Sequence, residues 1–297
     1  MHVRRQNHTA TLLPSGRVLV AGGSNEQSVL ASTEVYDPAT GTWKRPGEMT
    51  TPRQAHAAAL VQIGGSPMVL VIGGTSGSSD CPPCIQSSSE LYEPKAGSWS
   101  LTGSMSLARY WDHASPVRLP DESVLVVGGT TCCGYSWINE AEIYSPVTQT
   151  WTVTSPKNTS AQGPAALMPG GIVLVAGGDA GTQPNVRSVA ASERFDISTG
   201  SWLRVGKMSI ARDSMSLTIL AGRQALVAGG NNGGWGICNA QSSAEVLTPQ
   251  VGWQPTGSMA TARFGHVAVL LTDGTVLVAG GTDCSGAVFS SAEMYQP

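Results

Sequence analysis

Six times along this chain a Gly-Gly doublet closes a short β-branched run: Gly22-Gly23, Gly73-Gly74, Gly128-Gly129, Gly177-Gly178, Gly229-Gly230 and Gly280-Gly281. Each follows a segment such as Val18-Leu19-Val20-Ala21 or Val276-Leu277-Val278-Ala279. The doublets recur about every fifty residues, the length of one four-stranded propeller blade. The runs are too short for globular helices and suit buried strands. Turn signals precede several of them, as at Pro14-Ser15-Gly16, Pro169-Gly170-Gly171 and Asp273-Gly274. Each repeat therefore predicts strand a, strand b ending in the doublet, strand c and strand d. The expected class is all-β, a six-bladed propeller of antiparallel blades.

The flanking residues make the repeat specific. Arg5, Arg53, Arg109, Arg212 and Arg263 each stand four residues after a methionine (Met1, Met49, Met105, Met208, Met259), and His8, His56 and His266 follow three of them. After the doublet come Glu34, Glu90, Glu142, Glu193, Glu245 and Glu293. Two residues later stands an aromatic (Tyr36, Tyr92, Tyr144, Phe195, Tyr295), with Leu247 the exception. Trp43, Trp99, Trp151, Trp202 and Trp253 complete five copies. In this string the chain resembles the kelch-repeat family along essentially its whole length. The resemblance implies a six-bladed kelch-type propeller forming one domain over 1–297, with blades near 1–48, 49–104, 105–156, 157–207, 208–258 and 259–297. The family includes galactose oxidase, whose repeat string is similar. Its copper centre uses tyrosine two residues after the repeat arginine. Here those places hold Asn7, Ala55, Trp111, Ser214 and Gly265, so that chemistry does not carry over and no cofactor is expected.

The two ends fit together as one interrupted repeat. Met1 keeps the internal Met-to-Arg spacing, and Pro297 matches Pro38, Pro94, Pro146 and Pro249, after which strand d begins. One outer strand is thus expected to be missing at the junction of the ends. A trimmed sequence from a longer parent with further domains accounts for this better than a natural three-stranded blade, which leaves an exposed edge. The opening Met-His-Val-Arg-Arg-Gln-Asn-His has no apolar signal-peptide core.

Composition narrows the partners. Charged residues make up 12% of the chain, too few for a solvated disordered polymer, and 36 glycines suit dense turns. A net charge of −3 argues against nucleic acid or an anionic membrane as main partner. No apolar run reaches transmembrane length, so no membrane insertion is expected.

In a propeller the a–b and c–d turns share one face and the b–c and d–a loops share the other. The a–b turns are short and offer little chemistry, whereas the b–c loops are long and irregular, the usual place for binding residues. Trp111, Trp137, Trp235, Tyr110, Tyr135, Phe264 and Phe289 stand outside the repeat, all in loops of that second face. Asp80, Asp112, Asp179, Asp213, Asp283, Asn25, Asn231 and Asn232 join them. Flat aromatics beside carboxylates and amides suit a polar ligand with an apolar face, a carbohydrate or a peptide.

The arginines have two readings. Repetition with glutamate suggests a buried Arg–Glu pair in each blade, although the fourth repeat has Ser160 in the arginine's place and Glu193 must find another partner. In kelch adaptors resembling this chain, arginines near this position bind acidic peptides, which keeps Arg53, Arg109, Arg212 and Arg263 as binding candidates. His8, His56, His113 and His266 point toward the central channel's mouth; imidazoles on separate blades stand far apart for a metal, and none is assigned.

Cys81, Cys84, Cys132, Cys133, Cys238 and Cys284 all lie in b–c loops, which reads as disulfides in an oxidising, extracytoplasmic compartment. Cys238 and Cys284 occupy equivalent loops of adjacent blades and can meet. The other four pair either as Cys81–Cys84 with Cys132–Cys133 or as two crosslinks between loops, with a four-cysteine zinc site as the rival. Asn7-His8-Thr9 and Asn158-Thr159-Ser160 match glycosylation acceptors.

The leading expectation is a secreted module binding a carbohydrate or peptide through Tyr110, Trp111, Asp112, His113, Tyr135, Trp137, Asp179, Asp213, Asn232, Trp235 and Phe264, with the four arginines. The alternative is a propeller enzyme, a lyase, epimerase or oxidase-like catalyst at the channel mouth, built on Asp112 with His113 or Asp213 with Arg212. A structural spacer is the third reading.

Overall fold

The computed structural model describes residues 1–77, 84–110, 116–131, 137–159, 162–181, 185–234 and 236–297. Each repeat folds into an antiparallel meander in chain order, so neighbours in sequence are neighbours in the sheet. Blade 1 is β1 (Thr9–Leu12), β2 (Val18–Ala21), β3 (Thr33–Asp37) and β4 (Thr42–Lys44). Blade 2 is β5 (Ala57–Ile63), β6 (Ser66–Ile72), β7 (Ser89–Glu93) and β8 (Ser98–Thr102). Blade 3 is β9 (Val117–Arg118), β10 (Val124–Val127), β11 (Ala141–Ser145) and β12 (Thr150–Val153).

Blade 4 opens with β13 (Ala165–Met168) and β14 (Ile172–Ala176). A small ribbon, β15 (Asp179–Ala180) and β16 (Arg187–Ser188), stands in its b–c loop. The blade closes with β17 (Ala191–Asp196) and β18 (Ser201–Lys207). Blade 5 is β19 (Ser216–Leu220), β20 (Gln224–Ala228), β21 (Ala244–Thr248) and β22 (Gly252–Thr256). Blade 6 has three strands, β23 (Val267–Leu270), β24 (Val276–Ala279) and β25 (Ala292–Tyr295). No α-helix occurs among the described residues. The chain has the all-β, six-bladed propeller architecture that its repeat predicts. Its contacts divide into two compact units, Met1–Ser136 with Ala141–Thr154 and Trp137–Glu140 with Ser155–Pro297, which hold blades 1–3 and 4–6.

Why the b strands read as unbroken apolar runs is plain from their packing. In β6, Val69 and Val71 face blade 1, where they meet Leu19, Val35 and Met49. Leu70 and Ile72 face blade 3, where they meet Val124, Val126 and Tyr144. Both faces are buried, so neither alternates with polar residues. The same packing recurs in the second unit, with Leu174 of blade 4 against Val227 of blade 5, and Leu226 of blade 5 against Val276 and Val278 of blade 6. Strand c adds an aromatic to the tryptophan of strand d: ring centroids lie 4.9 Å apart in Tyr36–Trp43, 5.1 Å in Tyr92–Trp99, 5.3 Å in Tyr144–Trp151 and 5.1 Å in Phe195–Trp202. Strand-d tryptophans also donate backward to the preceding blade, Trp99 to the Gly47 carbonyl at 3.1 Å and Trp253 to Ser192 Oγ at 2.8 Å.

The doublets are glycine because nothing else fits. Gly73 and Gly74 have φ of 58° and 91°, in the left-handed region. A Cβ on Gly74 would stand 2.7 Å from the Gln54 carbonyl. The second amide of the doublet also joins consecutive blades. Gly23 N donates to the Arg53 carbonyl and Gly74 N to the Arg109 carbonyl, both at 2.9 Å. In the second unit Gly178 N donates to Arg212 at 2.8 Å and Gly230 N to Arg263 at 2.9 Å.

Candidate functional site

The repeat charges turn inward. Arg53 donates through Nη1 to the Gly73 carbonyl at 2.8 Å and the Ser88 carbonyl at 3.0 Å, and through Nη2 to Glu90 Oε1 at 2.7 Å. Glu90 also accepts the backbone amides of Thr50 at 2.7 Å and Thr51 at 3.1 Å. That explains the Met-to-Arg spacing: buried Met49 seats the strand, the next two amides take the carboxylate, and the arginine closes the ring of bonds. Equivalent pairs are Arg5–Glu34, Arg109–Glu142, Arg212–Glu245 and Arg263–Glu293. Arg53, Arg109, Arg212 and Arg263 are 0% exposed, so the structure places these four binding candidates inside the blades. Phe289 adds its ring 5.1 Å from the Arg263 guanidinium carbon.

Blade 4 solves its missing arginine with neutral donors. Glu193 accepts Asn158 N and Nδ2, both at 2.8 Å, and Thr159 Oγ1 at 2.5 Å. Burial alone would raise its pKa, but these bonds and nearby Lys157 hold it below the usual carboxylate range. Asn158, read from sequence as a glycosylation acceptor, thus has its amide committed to a buried carboxylate. Glu34 shows the same balance more strongly: burial opposes ionisation, yet the bonds from His2, Val3 and Arg5 bring it down to about 2.

The repeat histidines are held neutral. His56 Nε2 meets Thr9 Oγ1 at 2.9 Å, and His266 Nε2 meets Ser216 Oγ at 3.0 Å. Burial, then the charges of Arg53 and His8, lowers His56 to about 3. Burial and Arg263 lower His266 to about 4. Among the described residues no three His, Cys, Asp or Glu side chains are grouped to hold a metal.

What remains at the b–c and d–a loops is a hydrogen-bonded lattice, clearest in the second unit. Ser188 of β16 pairs with Asp179 of β15 and donates its hydroxyl to Asp213 Oδ2 at 2.6 Å. Asn231 Nδ2 donates to the same Asp213 oxygen at 3.3 Å, and the backbones of Asp213 and Asn231 bridge. Asn239 donates to Asn232 Oδ1 at 2.6 Å. Asp179, Asp213 and Asn232 are therefore linked through Ser188, Asn231 and Asn239, none of the three foreseen as a connector. The surplus of Asn in the 231–239 stretch was the available signal. The Cys238–Cys284 disulfide, with Cα atoms 5.4 Å apart, ties the b–c loops of blades 5 and 6.

Phe264 and Trp137 are partly exposed in this unit, and the Phe264 backbone bridges to Thr282. Tyr110, in the first unit, bridges to Thr130 and is 8% exposed. Trp111, Asp112, His113, Tyr135 and Trp235 lie outside the described residues, as do Asp80, Cys81, Cys132 and Cys133.

One conformational feature is shared by the segments leading into blades 1, 2, 5 and 6. Asn7, Ala55 and Ser214, each two residues after a repeat arginine, have φ of 53°, 48° and 49°, and Gly265 has 63°. Within each unit they lace neighbouring blades: Ala55 N donates to Asn7 O at 3.0 Å, and Gly265 N to Ser214 O at 2.9 Å. Left-handed alanine and serine carry backbone strain that the surrounding bonds must hold.

Comparison with known proteins agrees with this architecture. The Kelch motif matches residues 7–50. A solved structure titled "Structure of YjhT" superposes over 98% of this chain and 94% of its own, with a TM-score of 0.70 at 15% identity. The chain carries a Kelch motif in its first repeat and has the fold of a kelch-type six-bladed propeller. Among curated relatives of this kelch propeller, Kelch-like protein 25 of Xenopus tropicalis is 25% identical over 72% of the chain. Kelch-like protein 33 of Homo sapiens is 29% identical over 45% of it, and the Influenza virus NS1A-binding protein homolog of Mus musculus is 34% identical over 24%. The matches span only 35%, 24% and 10% of the lengths of those relatives.

Proposed function

We propose that this kelch propeller is a secreted recognition module that binds a carbohydrate or peptide ligand across its b–c and d–a loops. The observation that carries the reading is the loop lattice of blades 4–6. Asp179 and Asn232 are half-exposed on backbone ordered by hydrogen bonds around the buried Asp213 and by Cys238–Cys284, which reduces the ordering cost of binding. The repeat arginines are spent on glutamates, so recognition falls to residues outside the repeat. A kelch relative named for binding a viral protein supports a peptide among the ligand classes. The disulfide is compatible with an extracellular location.

The test is a glycan and peptide array probed with the oxidised protein and with a Trp111→Ala/Trp137→Ala/Trp235→Ala variant. Saturable binding to one ligand class, lost in the folded variant, supports the module. Silence on both arrays sinks it.

A further inference from the structure

The one copy of the repeat that lacks its strand-c aromatic also lacks that aromatic's partner. Tyr144 of blade 3 meets Thr102 of blade 2, hydroxyl to hydroxyl at 2.7 Å. Tyr295 of blade 6 meets Thr256 of blade 5 in the same way at 2.9 Å. In both pairs the threonine stands three residues after the strand-d tryptophan. Between blades 4 and 5 those positions hold Val205, three residues after Trp202, and Leu247. A ring and a hydrogen bond are replaced together by two smaller apolar side chains.

A cleft of about 470 Å³ opens where the ring would be, lined by Val205 and Leu247 with Met168, Ile172 and Leu174. Between blades 1 and 2, where Tyr92 keeps its ring, the corresponding cavity is about 210 Å³. The larger volume lies within the ~300–1,000 Å³ range of small-ligand sites.

Arg194 and Arg223 also line the cleft. Arg194 is exposed on β17, and Arg223 closes the a–b turn of blade 5 with its guanidinium against Gly170. Neither makes an ion pair among the described residues. Asp196 feels the charge of Arg194, but its Oδ1 already accepts Ser198 N at 2.9 Å and Ser198 Oγ at 2.6 Å. An apolar floor under two unneutralised guanidinium groups complements a ligand with an aliphatic body and an anionic head.

We propose that the cleft between blades 4 and 5, on the face of the short turns, binds a single-chain alkyl carboxylate, its chain against Val205 and Leu247 and its carboxylate on Arg194 and Arg223. This site lies among the turns that the sequence marked as poor in chemistry, and it does not rest on the loop-face reading.

The experiment is titration calorimetry of the oxidised chain with decanoate below its micelle concentration, with 1-decanol as the uncharged control. Arg194→Gln/Arg223→Gln should weaken decanoate at least tenfold while leaving decanol within twofold. Val205→Thr/Leu247→Tyr installs the pair found between blades 2 and 3, fills the cleft and should abolish both. Should the filled variant fail to fold, the arginine variant, altered only at exposed residues, decides alone. No decanoate binding by the parent chain, or unchanged binding in a folded variant, overturns the proposal.

Discussion

Glu90 accepts bonds from two amides and a guanidinium, and Arg53 also donates through Nη1 to two carbonyls and through Nη2 to the Ser88 hydroxyl. A buried ion pair contributes little net stability, yet removing either partner strands a charge in the core at a cost of about 3–5 kcal/mol. That asymmetry suits a pair kept in five of the six blades and replaced in blade 4, where the arginine is absent, by neutral donors to the same glutamate. The histidines beside these pairs add a pH dependence. The folded pKa values of His56 and His266 lie near 3 and 4, well below the ordinary value, so the unfolded chain takes up protons first as pH falls. Their stabilisation is complete above pH ~6.5 and declines as the pH drops toward the folded values, by roughly 2 kcal/mol each at pH 5. Glu34 stays ionised throughout that window, since its folded pKa is about 2. The urea midpoint should therefore fall between pH 7.5 and 5, and the slope should be shallower in His56→Gln and His266→Gln. A flat wild-type profile would refute the assignment. At this scale the Arg–Glu pairs were legible, because five copies repeat them. The Asn158–Thr159 substitute was not, because it replaces one charged residue with neutral donors at neighbouring positions.

At the scale of elements, the loop of 231–242 is ordered by its own asparagines and by a crosslink to the next blade. Cys238 and Cys284 are 46 residues apart in sequence. Chain-entropy reasoning gives a closed loop of this size roughly 4 kcal/mol, with about 2–4 kcal/mol typical in practice. Cys238→Ser/Cys284→Ser should lower unfolding stability by about that amount and open the loop to limited proteolysis. Equal stability and equal protease resistance would mean that the hydrogen-bonded lattice suffices without the crosslink. The strands themselves were legible from β-branched runs and turn signals. The β15–β16 ribbon was not, since strands of two residues carry no readable period, and its Ser188 is what couples Asp179 to Asp213.

Across the whole molecule, the same gradient of burial recurs from blade to blade. The b strands are buried on both faces and paired on both edges, as Val69 to Ile72 and Val124 to Leu125 at 0% exposure illustrate. The d strands β4, β8 and β12 are mostly exposed and sit at sheet edges. Amide exchange followed by mass spectrometry should give the strongest protection in β2, β6, β10, β14 and β20 and the weakest in the d strands. Protection that instead follows blade number, with whole blades exchanging together, would contradict this gradient.

The sequence alone determined the number of blades, the strand order within each and the buried pairs, because a contact needed six times leaves its residues at a fixed spacing. It also marked Leu247 as the odd copy. Only the tertiary structure decided what that oddity does. Val205 lies on another blade, about forty residues away, and although both stand at repeat positions, the spacing alone does not say that those positions touch. Packing brings the two together with Arg194 and Arg223, and the missing ring becomes a cleft. The loops followed the same division: their length and polarity were readable, but which hydroxyl and amide meet on the Asp213 carboxylate depends on backbone paths that no repeat encodes.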